Sequence, residues 1–488
     1  MRPRRTTPCS GMERAGLSRR ELLWRAGGGL GGIALAWLES QSAALAAPAA
    51  SPDPFAPRPP HFAPKVKRVI QIFLCGGVSH VDTLDYKPEL ERLHGKPLTG
   101  KGKVDTFFAQ PGNLMKSPWK FAKRGQCGHA VSDLLPHLAG CVDEMTIVNS
   151  MVSKSNNHTP ATFMMNSGFT LNGFPSMGSW VTYGLGSESR DLPAFVVLPD
   201  PRQLPAGAAT NWTAGFLPAA YQGVAFRTQG DPIPNLFPAR AVPDATERAS
   251  RRLLAEIDRE FQREVEGEGS VAARIRSYEL AARMQLSIPE VTRLDDETPQ
   301  TRALYGLDDA PTAGFGRNCL LARRLVERGV RFVQLYHGGA FASPRINWDA
   351  HEDLVQNHTQ EAGSMDQPVA GLLRDLKQRG LLDDTLLVWT TEFGRTPFTQ
   401  GVGARGRDHH QHAFTCWMAG AGLKPGYTHG ESDEVGYAVG RDPVTVHDLH
   451  ATILHLLGLD HKRLTYYHNG IQRRLTDVHG EVVPGLLA

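Results

Sequence analysis

The chain has 488 residues, with 53 lysines and arginines against 50 aspartates and glutamates, a formal net charge of +3. Residues 1–46 hold seven of the basic and three of the acidic side chains, so the other 442 residues carry 46 against 47, a net of −1. That balance excludes an electrostatic case for nucleic acid or an anionic membrane surface, and no zinc-finger or helix-turn-helix spacing is present. Six cysteines, at 9, 75, 127, 141, 319 and 416, form no Cys-x-x-Cys, which excludes a disulfide scaffold and a thiolate zinc site. Cys127 and Cys141 could pair in an oxidising compartment.

Residues 1–46 read as an address. Ser18-Arg19-Arg20-Glu21-Leu22-Leu23 is a twin-arginine pattern, a glycine-rich apolar stretch runs from Ala26 to Leu38, and Ala44-Leu45-Ala46 is a small-x-small cleavage site. The expectation is a twin-arginine signal peptide removed before Ala47, with the protein periplasmic or extracellular. Its apolar core, about a dozen residues, is shorter than the roughly 20 that a transmembrane helix needs. Residues 47–64 hold seven prolines and read as an extended linker.

The fold is expected to begin at residue 65. Val69 to Leu74 is a buried strand that runs into Cys75-Gly76-Gly77, where two glycines permit close approach of another chain segment. Met145 to Val148 is a second strand. Asn157-His158-Thr159-Pro160 then opens a helix, with His158 beside its free amino-terminal N–H groups. Pro193 to Leu198 is a strand that leads into an insertion over about residues 200–310. Its first half is rich in Pro, Gly and Ala. Its second half is a charged helix with Leu253, Leu254, Ile257 and Phe261 on one stripe, read as packing.

Strand and helix alternate again afterwards. Asn318 to Arg328 is a helix ended by Gly329, Val330 to Tyr336 a strand, and Asn347-Trp348-Asp349-Ala350-His351 an acidic and histidine cluster beyond it. A helix over Thr359 to Arg379 returns the chain to the run Leu386-Leu387-Val388-Trp389, a strand buried on both faces. This strand stops at Glu392, in a loop that carries Arg395, Asp408, His409, His410 and His412. A last strand, Ala413 to Met418, and a helix, Val446 to Leu457, follow. The repeating order predicts a three-layer α/β/α domain over residues 65–480, with a mostly parallel central sheet, and a tail at 481–488. In such sheets ligands bind beyond the carboxyl ends of strands. Imidazoles and carboxylates collected there suit Zn, Mn or Fe.

The twin-arginine leader, Gly-Gly-x-x-x-x-Asp-x-x-Asp from Gly76, Asn-His-Thr-Pro-Ala-Thr, Asn-Trp-Asp-Ala-His, and Thr-Glu-Phe-Gly-Arg-Thr-Pro followed by Asp-His-His resemble an exported bacterial family, domain of unknown function 1501. That family is related to the alkaline phosphatase and sulfatase superfamily. The resemblance implies an alkaline-phosphatase-like fold with two metals and a hydroxyl or formylglycine nucleophile at a helix start, ten residues before a glycine. Counting back ten from Gly168 reaches His158, with Thr159 the neighbouring hydroxyl. The first-strand acid is replaced by Gly76-Gly77, and the expected Asp-His pair reads Glu392-Phe393. Asp349, His351 and His409 or His410 resemble the ligands of the other metal. No cysteine has the Cys-x-Pro-x-Arg context of formylglycine sulfatases.

The expected function is therefore an exported metal-dependent hydrolase of a phosphate or sulfate ester, polysaccharide esters included. Asp349, His351, His409, His410 and Glu392 are the candidate metal ligands. His158, Thr159, Glu392 and Arg395 are the candidate catalytic groups, with Glu392 and His158 as further ligands or acid-base groups and Arg395 or Arg407 as stabiliser of a developing anion. The alternative is a binding or assembly protein on a degenerate scaffold of the same fold.

Overall fold

The computed structural model describes residues 55–107, 110–227, 232–233, 242–264, 284, 287–339 and 347–488. The leader at 1–46, the first part of the linker and parts of the insertion lie outside them. Among the described residues no helix is long and apolar enough to cross a membrane.

Eleven strands organise the site. They are β1 (Arg68–Leu74), β2 (Thr146–Val152), β3 (Phe195–Leu198), β4 (Val224–Ala225), β5 (Phe332–His337), β6 (Thr385–Thr391), β7 (Gly394–Thr399), β8 (Arg407–His410), β9 (Phe414–Ala419), β10 (Tyr427–His429) and β11 (Val444–Thr445). Nine form one sheet in the order β10-β2-β9-β6-β1-β5-β3-β4, with β11 also paired to β2, while β7 and β8 make a separate antiparallel hairpin. The sheet is parallel except for β9, which runs antiparallel to both β2 and β6.

Side chains alternate between two cores, as a strand buried on both faces requires. Ile70, Ile72 and Leu74 of β1 join Leu387 and Trp389 of β6 on one face, against helices α4 (Ala310–Glu327) and α5 (Leu354–Gln378). Val69 and Phe73 join Leu386 and Val388 on the other, against α1 (His158–Ser167), α2 (Met177–Leu185) and α6 (Val446–Leu456). The expected three-layer α/β/α domain is present. Leu74 is level with His337 of β5 and with Thr391 of β6, so three central strands end together. The loops that leave them meet on one edge.

Several expectations change. The stretch after Thr391 is a hairpin rather than a loop, and the strand at Phe414–Ala419 departs from the parallel pattern. Residues 55–64 do not form a coreless linker: Arg58 N donates to Leu185 O, His61 N donates to Gly458 O, and the Arg58 guanidinium lies over the rings of Tyr183 and Tyr221. Cys127 is exposed and Cys141 buried, and both are free thiols. In the insertion, α3 (Asp244–Glu264) leaves Leu253, Leu254, Ile257 and Phe261 between 47% and 59% exposed, so no described element packs on the stripe.

A buried ion pair helps tie the β7–β8 hairpin to the loop after β1. The Arg407 guanidinium donates to both oxygens of Asp82, at 2.7 and 3.1 Å, and neither side chain is exposed. Burial would raise the Asp82 pKa, but the charge and hydrogen bonds of Arg407 outweigh it and hold the carboxyl below its usual range. Breaking a buried pair from one side costs about 3–5 kcal/mol. Asp82→Asn should therefore lower the free energy of unfolding by about that amount at pH 7, measured in denaturant. A depressed folded pKa gives stability that is present above the ordinary aspartate value and lost as pH falls through the folded one. The gap between wild type and variant should narrow below about pH 4; a gap that stays constant into acid would contradict this role.

Candidate metal centre

Four side chains from three parts of the sequence meet at the carboxyl edge: His158, Asp349, His351 and His409 each place a ligand atom within 4.8 Å of the others. His158 is the first residue of α1, the helix that follows β2. Asp349 and His351 come from the turn after β5. There Asp349 N donates to Asn347 Oδ1, and the buried Trp348 indole donates to His337 Nδ1. His409 is supplied by β8.

The geometry centres on one oxygen. Asp349 Oδ1 lies 2.7 Å from His351 Nε2, 3.0 Å from His409 Nε2 and 3.3 Å from His158 Nε2, and it accepts from Arg395 Nη2 at 2.6 Å. Burial alone would raise the Asp349 pKa. The guanidinium and the three imidazoles overcome it and hold the carboxyl far below its ordinary range. Burial pushes His409 down to about 3. His158 is also penalised by burial, yet hydrogen bonds to Asp349 and Glu392 lift it to about 9.

For His409 the contacts define which nitrogen carries hydrogen. His409 Nδ1 is 2.7 Å from the Asn156 carbonyl oxygen, an acceptor only, so Nδ1 is the protonated nitrogen and neutral His409 presents its Nε2 lone pair inward. His158 Nδ1 likewise faces Glu392 Oε1 at 2.9 Å. Two imidazoles anchored through Nδ1, with Nε2 aimed at a common carboxylate oxygen, are arranged as metal-binding histidines are. His409 Nε2 also lies 2.8 Å from His351 Nε2, so the two imidazole nitrogens share the space in front of Asp349 Oδ1. The donor set, three imidazole nitrogens and one carboxylate, suits Zn, Mn or Fe. The residues present therefore fit the divalent metal expected from the sequence.

The glycines explain how closely the pieces approach. Gly76 has φ +123°, and a Cβ there would stand 2.6 Å from Asp349 N. Gly77, at φ +81°, has the Phe393 ring 2.5 Å from its Cβ position. Phe107 and Phe393 flank the His409 ring, each with its centroid 4.6 Å away.

Other candidates go elsewhere. His410 follows His409 in a strand, so the two rings point to opposite faces. His410 Nε2 meets the Tyr437 carbonyl, the ring lies near His80, and burial pushes its pKa down to about 3. Glu392 is outside the group of four and bonds to His158 from behind. Arg395 does not face open space. Its side chain is fully buried, and its N–H groups go to Gly76 O, Gly77 O, Arg407 O, Asp349 Oδ1 and, at 3.5 Å, His351 Nε2, which leaves none for a developing anion. Thr159 lies one residue into α1, half-buried and outside the group. His412 meets Asp105 Oδ2 at 2.8 Å, and Asp408 accepts from Phe107 N and His409 N. The sequence left His158 open between a ligand and an acid-base group, and the structure groups it with Asp349, His351 and His409. Phe107 and the Asn156 carbonyl carried no sequence signal.

The strand order and the site define an α/β protein with a mostly parallel sheet and a histidine-aspartate group at its carboxyl edge. The chain belongs to the family described as Protein of unknown function (DUF1501), whose model matches residues 66–487. Among curated proteins nothing matches. Similar solved structures include the lipoteichoic acid synthase LtaP of Listeria monocytogenes, at 11% identity and a TM-score of 0.34, over 87% of this chain and 79% of that one. The PsFucS1 sulfatase of Pseudoalteromonas sp. is 12% identical with a TM-score of 0.36, over 83% and 70%. A TAB5 alkaline phosphatase mutant is 10% identical with a TM-score of 0.35, over 81% and 99%.

Because a Cβ on Gly76 would meet the Asp349 backbone, Gly76→Ala should displace Asp349 and reduce metal retained per chain, read by elemental analysis. Retention equal to wild type would show that the group does not depend on this approach.

Proposed function

We propose that this chain is an exported metal-dependent hydrolase acting on a phosphate or sulfate ester. The observation that carries the reading is the convergence of His158, His351 and His409 Nε2 on Asp349 Oδ1 at the carboxyl edge of the sheet. These four residues would hold the ion. A divalent Zn, Mn or Fe bound there would supply a Lewis acid for activating water and polarising an ester oxygen.

The protein's own groups favour an anionic substrate beside it. Of the four side chains Asp349 is the most exposed, at 17% against 8% or less, so solvent reaches the group on its side. His158 opens α1, so the positive end of the helix dipole lies beside the group, which suits a phosphate or sulfate oxygen. Phe107 and Phe393 shield His409 and lower the local dielectric. Thr159, the second residue of α1, is the candidate hydroxyl nucleophile.

A second reading, a binding or assembly protein without turnover, is favoured by Arg395. Its buried guanidinium meets the charge of Asp349 directly. Elemental analysis of protein exported with its own leader, paired with hydrolysis of nitrophenyl phosphate and sulfate, separates the two. The expected result is about one metal per chain with ester turnover, both lost in Asp349→Ala and His409→Ala. Metal without turnover on any ester would favour the binding reading. Well-folded protein that takes up no metal would sink the hydrolase.

A further inference from the structure

Glu392 leaves the end of β6 with its side chain only 2% exposed. Hiding a carboxylate is costly unless hydrogen bonds meet its charge. Oε1 accepts from Gly76 N at 2.7 Å and from His158 Nδ1 at 2.9 Å, and Oε2 accepts from Thr391 Oγ1 at 3.2 Å. Both Oε1 bonds lead to the group of four. One goes to the ring nitrogen of His158 that faces away from Asp349. The other goes to the backbone of Gly76, whose Cβ position is already filled by the Asp349 backbone.

A carboxylate that accepts an imidazole Nδ1–H fixes the tautomer, orients the ring and raises the basicity of Nε2. The same oxygen secures Gly76 against the turn that carries Asp349. The ring of Phe393, the next residue, lies 5.1 Å from that of His158 and limits its rotation. One segment therefore sets two of the four ligands.

We infer that Glu392 is a positioning residue of the metal centre and not one of its ligands: it holds His158 with Nε2 toward the ion and the β1 loop against Asp349. This rests on the metal reading above and adds to it a fixed division of labour between Glu392 and the four residues in front of it.

The test is titration of the metal-free full chain with Co²⁺, comparing wild type, Glu392→Ala and Glu392→Gln by affinity, by stoichiometry and by the visible absorption of bound cobalt. Loss of an outer partner of a metal-binding histidine typically weakens affinity about 10–100-fold. Glu392→Ala should show a loss of that size, with about one cobalt per chain still bound at saturation and absorption bands at wild-type positions. Glu392→Gln keeps an oxygen that accepts from His158 Nδ1–H and Gly76 N, so it should recover most of the affinity lost in Glu392→Ala. Shifted bands in Glu392→Gln would make Glu392 a ligand and overturn the inference. Equal affinity in all three proteins would overturn it as well while leaving the metal reading intact. No cobalt uptake by wild type would remove both.

Discussion

One carboxylate oxygen organises the carboxyl edge of this protein. Asp349 Oδ1 is approached by three imidazole nitrogens and a guanidinium, all within 3.3 Å. An anion so enclosed is tolerated only where positive charge meets it. Arg395 supplies part of that charge permanently, and its remaining donors grip the carbonyls of Gly76, Gly77 and Arg407. The guanidinium thus locks the β1 loop to the β7–β8 hairpin and to Asp349 at once. Asp82 and Arg407 repeat the device one layer further out.

The fold supplies the pieces in a physically simple way. Three parallel strands that end level release three loops onto the same edge, and a fourth, β2, delivers the amino terminus of α1 beside them. Glycine is needed where those loops touch, because Asp349 and Phe393 occupy the volume that side chains at 76 and 77 would take. The same crowding leaves the group nearly closed, with its most accessible side on Asp349.

Much of this was legible in the sequence. Continuous apolar runs marked β1, β5, β6 and β9 because strands buried on both faces show no polar alternation. Strand direction was not legible, since burial is alike for parallel and antiparallel neighbours, so the reversed direction of β9 escaped. The β7–β8 hairpin was hidden by its content: Arg395, Arg407, Asp408, His409 and His410 look like a solvated loop, yet all are buried through mutual hydrogen bonds and ion pairs. Missing the strand meant missing the alternation that selects His409 over His410. Arg395 shows a similar limit. Its charge suggested a substrate contact, whereas the carbonyls that claim its donors are brought to it only by tertiary structure. His158 was marked by its helix-start position, but its partnership with Asp349 joins residues 191 apart in sequence.

The most direct measurement is anomalous X-ray scattering from crystals of protein loaded with zinc or manganese. A single strong peak about 2.0–2.2 Å from the Nε2 atoms of His158, His351 and His409 and from a carboxylate oxygen of Asp349, with Glu392 Oε1 still on His158 Nδ1, is the predicted result. No peak at that position, with the Arg395–Asp349 contact unchanged and the protein well ordered, would contradict a metal centre and leave a hydrogen-bonded charge cluster in its place.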